Sequence, residues 1–150
     1  MAAPHAGAVV GSRQTTARPL GFWLKLVDRL VDEQFERALA DFGVTRHQWE
    51  LLNILSPGPS TLTRLNRDFE PFLASGTSAA DHLADLIDRG WVDVAFEYYE
   101  LTGEGASRHA ELHRVVAKNR SAALVDVSDE DYATTLRSLE RVARTLGWQS

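Results

Sequence analysis

The stretch from Ser60 to Gly105 constrains the fold most, because helix breaks and strand signals alternate in it at short intervals. Ahead of it, Ser56-Pro57-Gly58-Pro59 cannot continue a helix. Ser60 then caps a short helix over 61–69 that carries Leu62 and Leu65. It ends before Pro71, since the residue preceding a proline avoids helical geometry. Phe72 to Gly76 reads as turn. Thr77 or Ser78 caps the next helix, which has Leu83, Leu86 and Ile87 on its apolar side and stops at Gly90. Trp91-Val92-Asp93-Val94 and Glu97-Tyr98-Tyr99-Glu100-Leu101 have strand character, and the few residues between them make a tight hairpin. A further helix starts at Gly103 or Glu104.

The flanks are helical. From Leu20 the apolar residues fall at Trp23, Leu24, Val27, Leu30, Val31, Phe35, Ala38 and Leu39, which is helical spacing with charges between. Pro19 suits the first turn, and Phe42-Gly43 ends the helix. Thr45 with Gln48 has capping-box form and opens a helix through Trp49, Leu52 and Leu55. After the hairpin, one helix runs to about Val125. Ser128 with Asp131 starts another that carries Tyr132, Leu136, Leu139, Val142, Ala143 and Leu146. Residues 1–17 are small and polar without a period, and read as a disordered tail. The remainder, 18–150, reads as one domain.

Several function classes drop out. The chain has no cysteine, so disulfides and thiolate metal sites are excluded, and a cytoplasmic home fits. Apolar runs are only a few residues long, too short to span a membrane. There is no Gly-rich phosphate loop and no Gly-x-Ser-x-Gly elbow, so no enzyme, catalytic residue or cofactor is expected. His109 and His113 are four apart on a helix, a spacing that can hold zinc. No third ligand is evident, and no metal site is expected.

The order helix, helix, helix, helix, hairpin, long helix, helix resembles the MarR family of winged helix-turn-helix regulators. PLGFWLKLVDRLVDEQFERAL, FGVTRHQWELLNIL, HLADLIDRGWV, LTGEGASRHAEL and VSDEDYATTLRSLERV carry the resemblance, which covers nearly the whole chain from Arg18. It implies a mainly α protein: a winged-helix lobe over 45–101 with a small β-hairpin, and dimerisation helices in 18–44 and 102–150. It also implies a homodimer that presents helix 75–89 to the major groove of double-stranded DNA and the hairpin to the minor groove. Such dimers often hold a small ligand between the dimerisation helices and the lobe. The expected function is a ligand-responsive repressor reading a pseudo-palindromic operator. The residues agree about the dimer, since the apolar faces of the three long helices exceed what one small lobe covers.

Candidate DNA-binding residues are Thr77, Ser78 and His82 at the start of the recognition helix, with Arg64, Arg67 and Arg46 on the DNA backbone. Candidate ligand-binding residues are Phe22, Trp23, His47, Tyr98 and Tyr99, an aromatic concentration suited to a small aromatic molecule. Trp49 reads as core. The charge distribution favours a second reading. The net charge of −5 lies wholly in 45–101, which holds nine carboxylates against four arginines. Asp81, Asp85 and Asp88 share a helical face where phosphate would approach. Val94-Ala95-Phe96-Glu97-Tyr98 stands where the family's wing carries arginine, and Asn66 to Gly76 is longer than the family's usual turn. The alternative is a descendant of the same scaffold that binds small molecules, or catalyses, without binding DNA.

Overall fold

The computed structural model describes residues 17–150, so the expected tail lies outside the described residues except for its last position. The elements are α1 (Leu20–Leu39), α2 (Arg46–Leu55), β1 (Ser60–Thr61), α3 (Leu62–Asp68), α4 (Ala79–Asp88), β2 (Val92–Ala95), β3 (Tyr98–Leu101), α5 (Gly103–Ala123) and α6 (Asp129–Thr145). Short 3-10 turns cover Ala40–Phe42 and Glu70–Phe72. The order is that of a winged helix-turn-helix lobe between long flanking helices. Among the described residues, no helix is long and apolar enough to cross a membrane.

Local chemistry sets the boundaries. Gly43, at φ 62°, is the left-handed residue that closes the turn after α1, and its amide donates to the carbonyl of Ala40. The Thr45 hydroxyl accepts from the Gln48 amide while Gln48 Oε1 accepts from the Thr45 amide, both at 3.1 Å. This reciprocal pair starts α2. Thr102 and Ser128 cap α5 and α6 through the amides of Gly105 and Asp131. Thr61, rather than Ser60, caps α3. Ser60 and Thr61 instead pair with Tyr99 and Tyr98, adding a third strand to the expected hairpin in the antiparallel order β1-β3-β2. A two-residue strand has no period to read, so only the folded chain reveals it.

The hairpin turn is the two-residue kind that matches strand twist, with Phe96 at φ 51° and Glu97 at φ 71°. Neither residue favours that left-handed geometry, which costs about 1 kcal/mol or more at each. Phe96 is 96% exposed at the tip.

One core fills the lobe. Leu51, Leu52 and Leu55 of α2 meet Leu65 and Phe69, Leu83 and Leu86 of α4, Val92 of β2 and Leu112 of α5, all essentially without solvent contact. Each such side chain contributes about 1.5–3 kcal/mol on burial. The flanking helices differ. Leu39 is the one buried residue of α1, and α6 has none. Leu20, Phe22, Trp23, Leu24, Val27 and Leu30 lie exposed along α1, as do Val125, Val127, Leu136, Val142, Leu146 and Trp148 toward the C-terminus. Most of a helix's stability in a protein comes from packing its apolar face, so these faces call for a partner surface.

Gly105 marks a close approach. A Cβ there would collide with the backbone carbonyl of Trp91, which is fixed by the Thr102 amide. Gly105→Ala is expected to destabilise the fold by at least about 2 kcal/mol in urea unfolding, because backbone rather than a side chain must give way.

Candidate functional site

The start of α4 is built from α3 and from its own cap. The Ser78 hydroxyl accepts from the Ala80 amide, and Asp81 Oδ2 accepts from the Ser78 amide at 3.3 Å. Asn66 of α3 accepts from the Ala79 amide at 2.8 Å and from the Ser78 hydroxyl at 3.2 Å, which fixes the angle between the two helices. Thr77 is exposed and donates its hydroxyl to the Ala74 carbonyl. Thr77, Ser78 and His82 therefore do sit together, but two of them turn inward. Ser78 is occupied by capping. His82 is half-buried, with its ring 5.0 Å from that of His47 and 5.8 Å from that of Phe69.

The acidic stripe is less open than its spacing suggests. Asp81 belongs to the cap. Asp85 Oδ2 accepts from Gln48 Nε2 at 2.8 Å and pairs with Arg89 Nε at 3.0 Å. Arg89 also donates to the carbonyls of Phe42 and Gly43, so its charge serves the turn after α1. Asp88 alone of the three faces solvent without a bond of this kind.

Of the three arginines expected on the DNA backbone, one is not on the outer surface. Arg46 Nη1 reaches Asp28 at 2.7 Å and Asp32 at 2.8 Å, tying α2 to α1, and its guanidinium lies over the rings of Phe72 and Phe35. Burial opposes that charge, yet the hydrogen bonds to Asp32 and Asp28 outweigh it and hold the pKa above the usual arginine value. Arg64 and Arg67 project from α3 with about two-thirds of each side chain exposed, in loose pairs with Asp68 at 3.7 and 3.5 Å. The hairpin carries Asp93, Glu97 and Glu100 and no cation.

A cleft of about 930 Å³ opens between α1, α2, α5 and the start of α6. Val31, Phe35, Arg46, Trp49, Glu50, Asn53, His113, Asn119, Arg120 and Tyr132 are among its lining residues. None of Phe22, Trp23, His47, Tyr98 and Tyr99 lines it. Phe22 and Trp23 meet edge to face on the open side of α1, Tyr98 and Tyr99 are held in the sheet against β1, and His47 faces Phe69, Phe72 and His82. Helical rotation separates His47 from the neighbouring Arg46 and places it on the α4 side of α2. Trp49 is buried, as its spacing implies, and still contributes to the cleft wall. His109 stacks on it at 5.1 Å and bonds to Asn53 Oδ1.

Arg46, Trp49, Glu50 and Asn53 recur at helical spacing, and that was the available signal for the cleft face of α2. It is easily taken for a solvated face because three of the four are polar. Burial pushes the Glu50 carboxyl above its ordinary range, partly offset by Arg46. Burial also lowers His109, with a further push from His113. Among the described residues no group of three or more His, Cys, Asp or Glu is placed to hold a metal ion.

No protein-family model matches the chain, and no curated protein matches it. Solved structures do. The reduced form of MarR from E. coli is 21% identical over 88% of this chain and 98% of that one, with a TM-score of 0.70. NadR in complex with 4-hydroxyphenylacetate is 18% identical over 85% and 96%, with a TM-score of 0.72. A MarR family protein of Mycobacterium tuberculosis is 23% identical over 83% and 94%, with a TM-score of 0.62. The class is thus the winged helix-turn-helix with flanking helices. Within it, the chain has the fold of the MarR-family structures, nearly end to end.

The burial of His47 makes the lobe sensitive to acid. Burial lowers the pKa of His47 below the ordinary 6.5, with His82 and Arg46 adding to the effect against Asp32 and Asp28. The unfolded chain then binds the proton more readily than the folded one, so stability is present above pH 6.5 and falls as pH drops through the lowered folded value. His109 acts in the same sense. The thermal midpoint is expected to fall between pH 7.5 and 5.5, and His47→Gln should flatten part of that dependence.

Proposed function

We propose that the protein is a homodimeric, ligand-responsive transcriptional regulator, a repressor that reads a pseudo-palindromic operator in the cytoplasm. The observation that carries this is the pairing of a complete winged-helix lobe with flanking helices whose apolar faces one chain leaves uncovered. Covering those faces with a second copy is favourable at roughly 25 cal/mol per Å² of apolar surface. A two-fold dimer carries two α4 helices, which suits half-sites about one DNA turn, 34 Å, apart. The solved structures with this fold include MarR and NadR, the latter in complex with 4-hydroxyphenylacetate.

In this reading Thr77 and the first turn of α4, with Ser78 and His82, meet the major groove, while Arg64 and Arg67 bind phosphate. Arg46 is left out because it is committed to α1. The small ligand occupies the cleft. A ligand that spreads α1 and α5 from α2 moves α4 as well, because Gln48 of α2 holds Asp85 of α4. It regulates to the extent that it binds one arrangement better than the other.

One observation favours a second reading, a descendant that binds small molecules or catalyses without DNA. Two of the lobe's four arginines, Arg46 and Arg89, are engaged internally, and the hairpin is acidic. An anisotropy titration at low salt, tiling DNA from around the protein's own gene, separates the two. The regulator is expected to bind one tile well above random DNA. Arg64→Gln and Arg67→Gln should weaken that binding and flatten its log–log salt slope by about 0.9 for each phosphate that is no longer neutralised. Binding no tile better than random DNA leaves the second reading.

A further inference from the structure

We propose that the cleft takes an uncharged molecule, an aromatic or bulky apolar body carrying a carbonyl acceptor, with the carbonyl oxygen seated on the Nε–Nη2 edge of Arg46. This rests on the reading of the cleft as a small-ligand site and adds the polarity of the ligand.

Arg46 lines the cleft from the first turn of α2. The donors of its guanidinium have different fates. Nη1 is spent, donating to Asp28 at 2.7 Å and to Asp32 at 2.8 Å. Nε is closed off from solvent and has no hydrogen-bond partner among the described residues. Nη2, its neighbour along that edge, makes no bond among them either. Phe35 and Phe72 hold the guanidinium by its face, which leaves the edge to hydrogen bonding. A buried donor left unpaired is costly, and an acceptor offered to it recovers that cost. The planar fork lets one carbonyl oxygen accept from both nitrogens.

Charge decides the kind of acceptor. The charged lining residues are Arg46, Arg120, Glu50 and Asp129, two cations against two carboxylates. Asp28 and Asp32 lie outside the lining, yet both are bonded to Arg46, so its positive charge is already matched. Arg120 is occupied by Tyr132, donating to its hydroxyl at 2.6 Å. Glu50 stands one turn beyond Arg46, and burial already raises its pKa, so a second carboxylate beside it would add repulsion. An ammonium brings no acceptor for Arg46. The unmet demand is for a hydrogen bond and not for a charge, and a neutral carbonyl meets it without carrying an unpaired charge out of water. Val31, Phe35 and Val116 supply apolar wall for the body of such a molecule. The volume, about 930 Å³, admits more than one ring.

The test uses the full-length chain and three probes on one phenylalkyl skeleton: 4-phenylbutan-2-one, 3-phenylpropanoate and 3-phenylpropylamine. Isothermal titration at pH 7.5, taken to millimolar ligand, is expected to favour the ketone about tenfold or more over either charged probe. Arg46→Lys keeps a cation beside Asp28 and Asp32 but loses the two-donor edge, and should remove most of the ketone's advantage. Thermal unfolding checks that this variant is intact. In the wild-type chain the proton resonance of Arg46 Nε–H, assigned through its own side chain, should move downfield as the ketone saturates the site. That signal decides if Arg46→Lys does not fold. A carboxylate or amine that binds as tightly as the ketone overturns the assignment of a neutral acceptor while the cleft remains a ligand site. A ketone that binds best but leaves the Nε–H resonance in place overturns the seat on Arg46. Failure of all three probes to bind overturns both the assignment and the ligand reading of the cleft.

Discussion

A closed ring of polar bonds holds the lobe in register. Thr45 and Gln48 cap α2 reciprocally, and the Gln48 side chain continues to Asp85 on α4. Asp85 pairs with Arg89, and Arg89 returns to the carbonyls of Phe42 and Gly43, two residues before Thr45. The ring joins the end of α1, the start of α2 and the exposed side of α4. It also satisfies carbonyls left open at a helix end, which burial would otherwise make costly. Gln48 is buried and its partner Asp85 is charged, so this link is stronger than a neutral surface bond. The Gln48–Asp85 bond thus ties α2 directly to α4.

That ring changes the meaning of the charges. Counted along the chain, the lobe is strongly acidic, and its recognition helix carries three aspartates. In space, Asp81 and Asp85 are helix cap and internal tie. The same geometry removes cations: Arg46 and Arg89 hold α1 rather than facing outward. What remains on the surface is Arg64 and Arg67 beside the α4 start, opposite an acidic hairpin with an exposed phenylalanine at its tip. The balance between attraction and repulsion for phosphate is therefore closer than the formal count, and turns on few side chains.

The lobe is complete by itself, whereas the flanking helices are not. Leucines of α2, α3 and α4 are sealed from water, while α6 buries nothing and α1 buries one residue. The cleft lies at the boundary between these two regimes. Its floor belongs to the rigid lobe through Arg46, Trp49 and Glu50, and its rim to helices whose final packing depends on another surface. A site placed there is suited to report on the relative position of the two parts.

Much of this was written in the sequence. Gly43, Thr45 with Gln48, Pro57-Gly58-Pro59, Gly90 and Ser128 act within a few residues of themselves, so their caps and breaks fall where local chemistry places them. The apolar spacing of Leu52, Leu55, Leu83 and Leu86 likewise fixed which faces turn inward. Partnership over distance was not legible. Nothing local says that Arg46 reaches back to Asp28 and Asp32, that Asp85 faces Gln48, that Ser60 pairs with Tyr99, or that His47 packs on His82 and leaves the cleft to Glu50 and Asn53. Those outcomes depend on how helices rotate and cross once the core closes. A polar side chain's role follows from its neighbour across the fold, and only the tertiary structure chooses that neighbour.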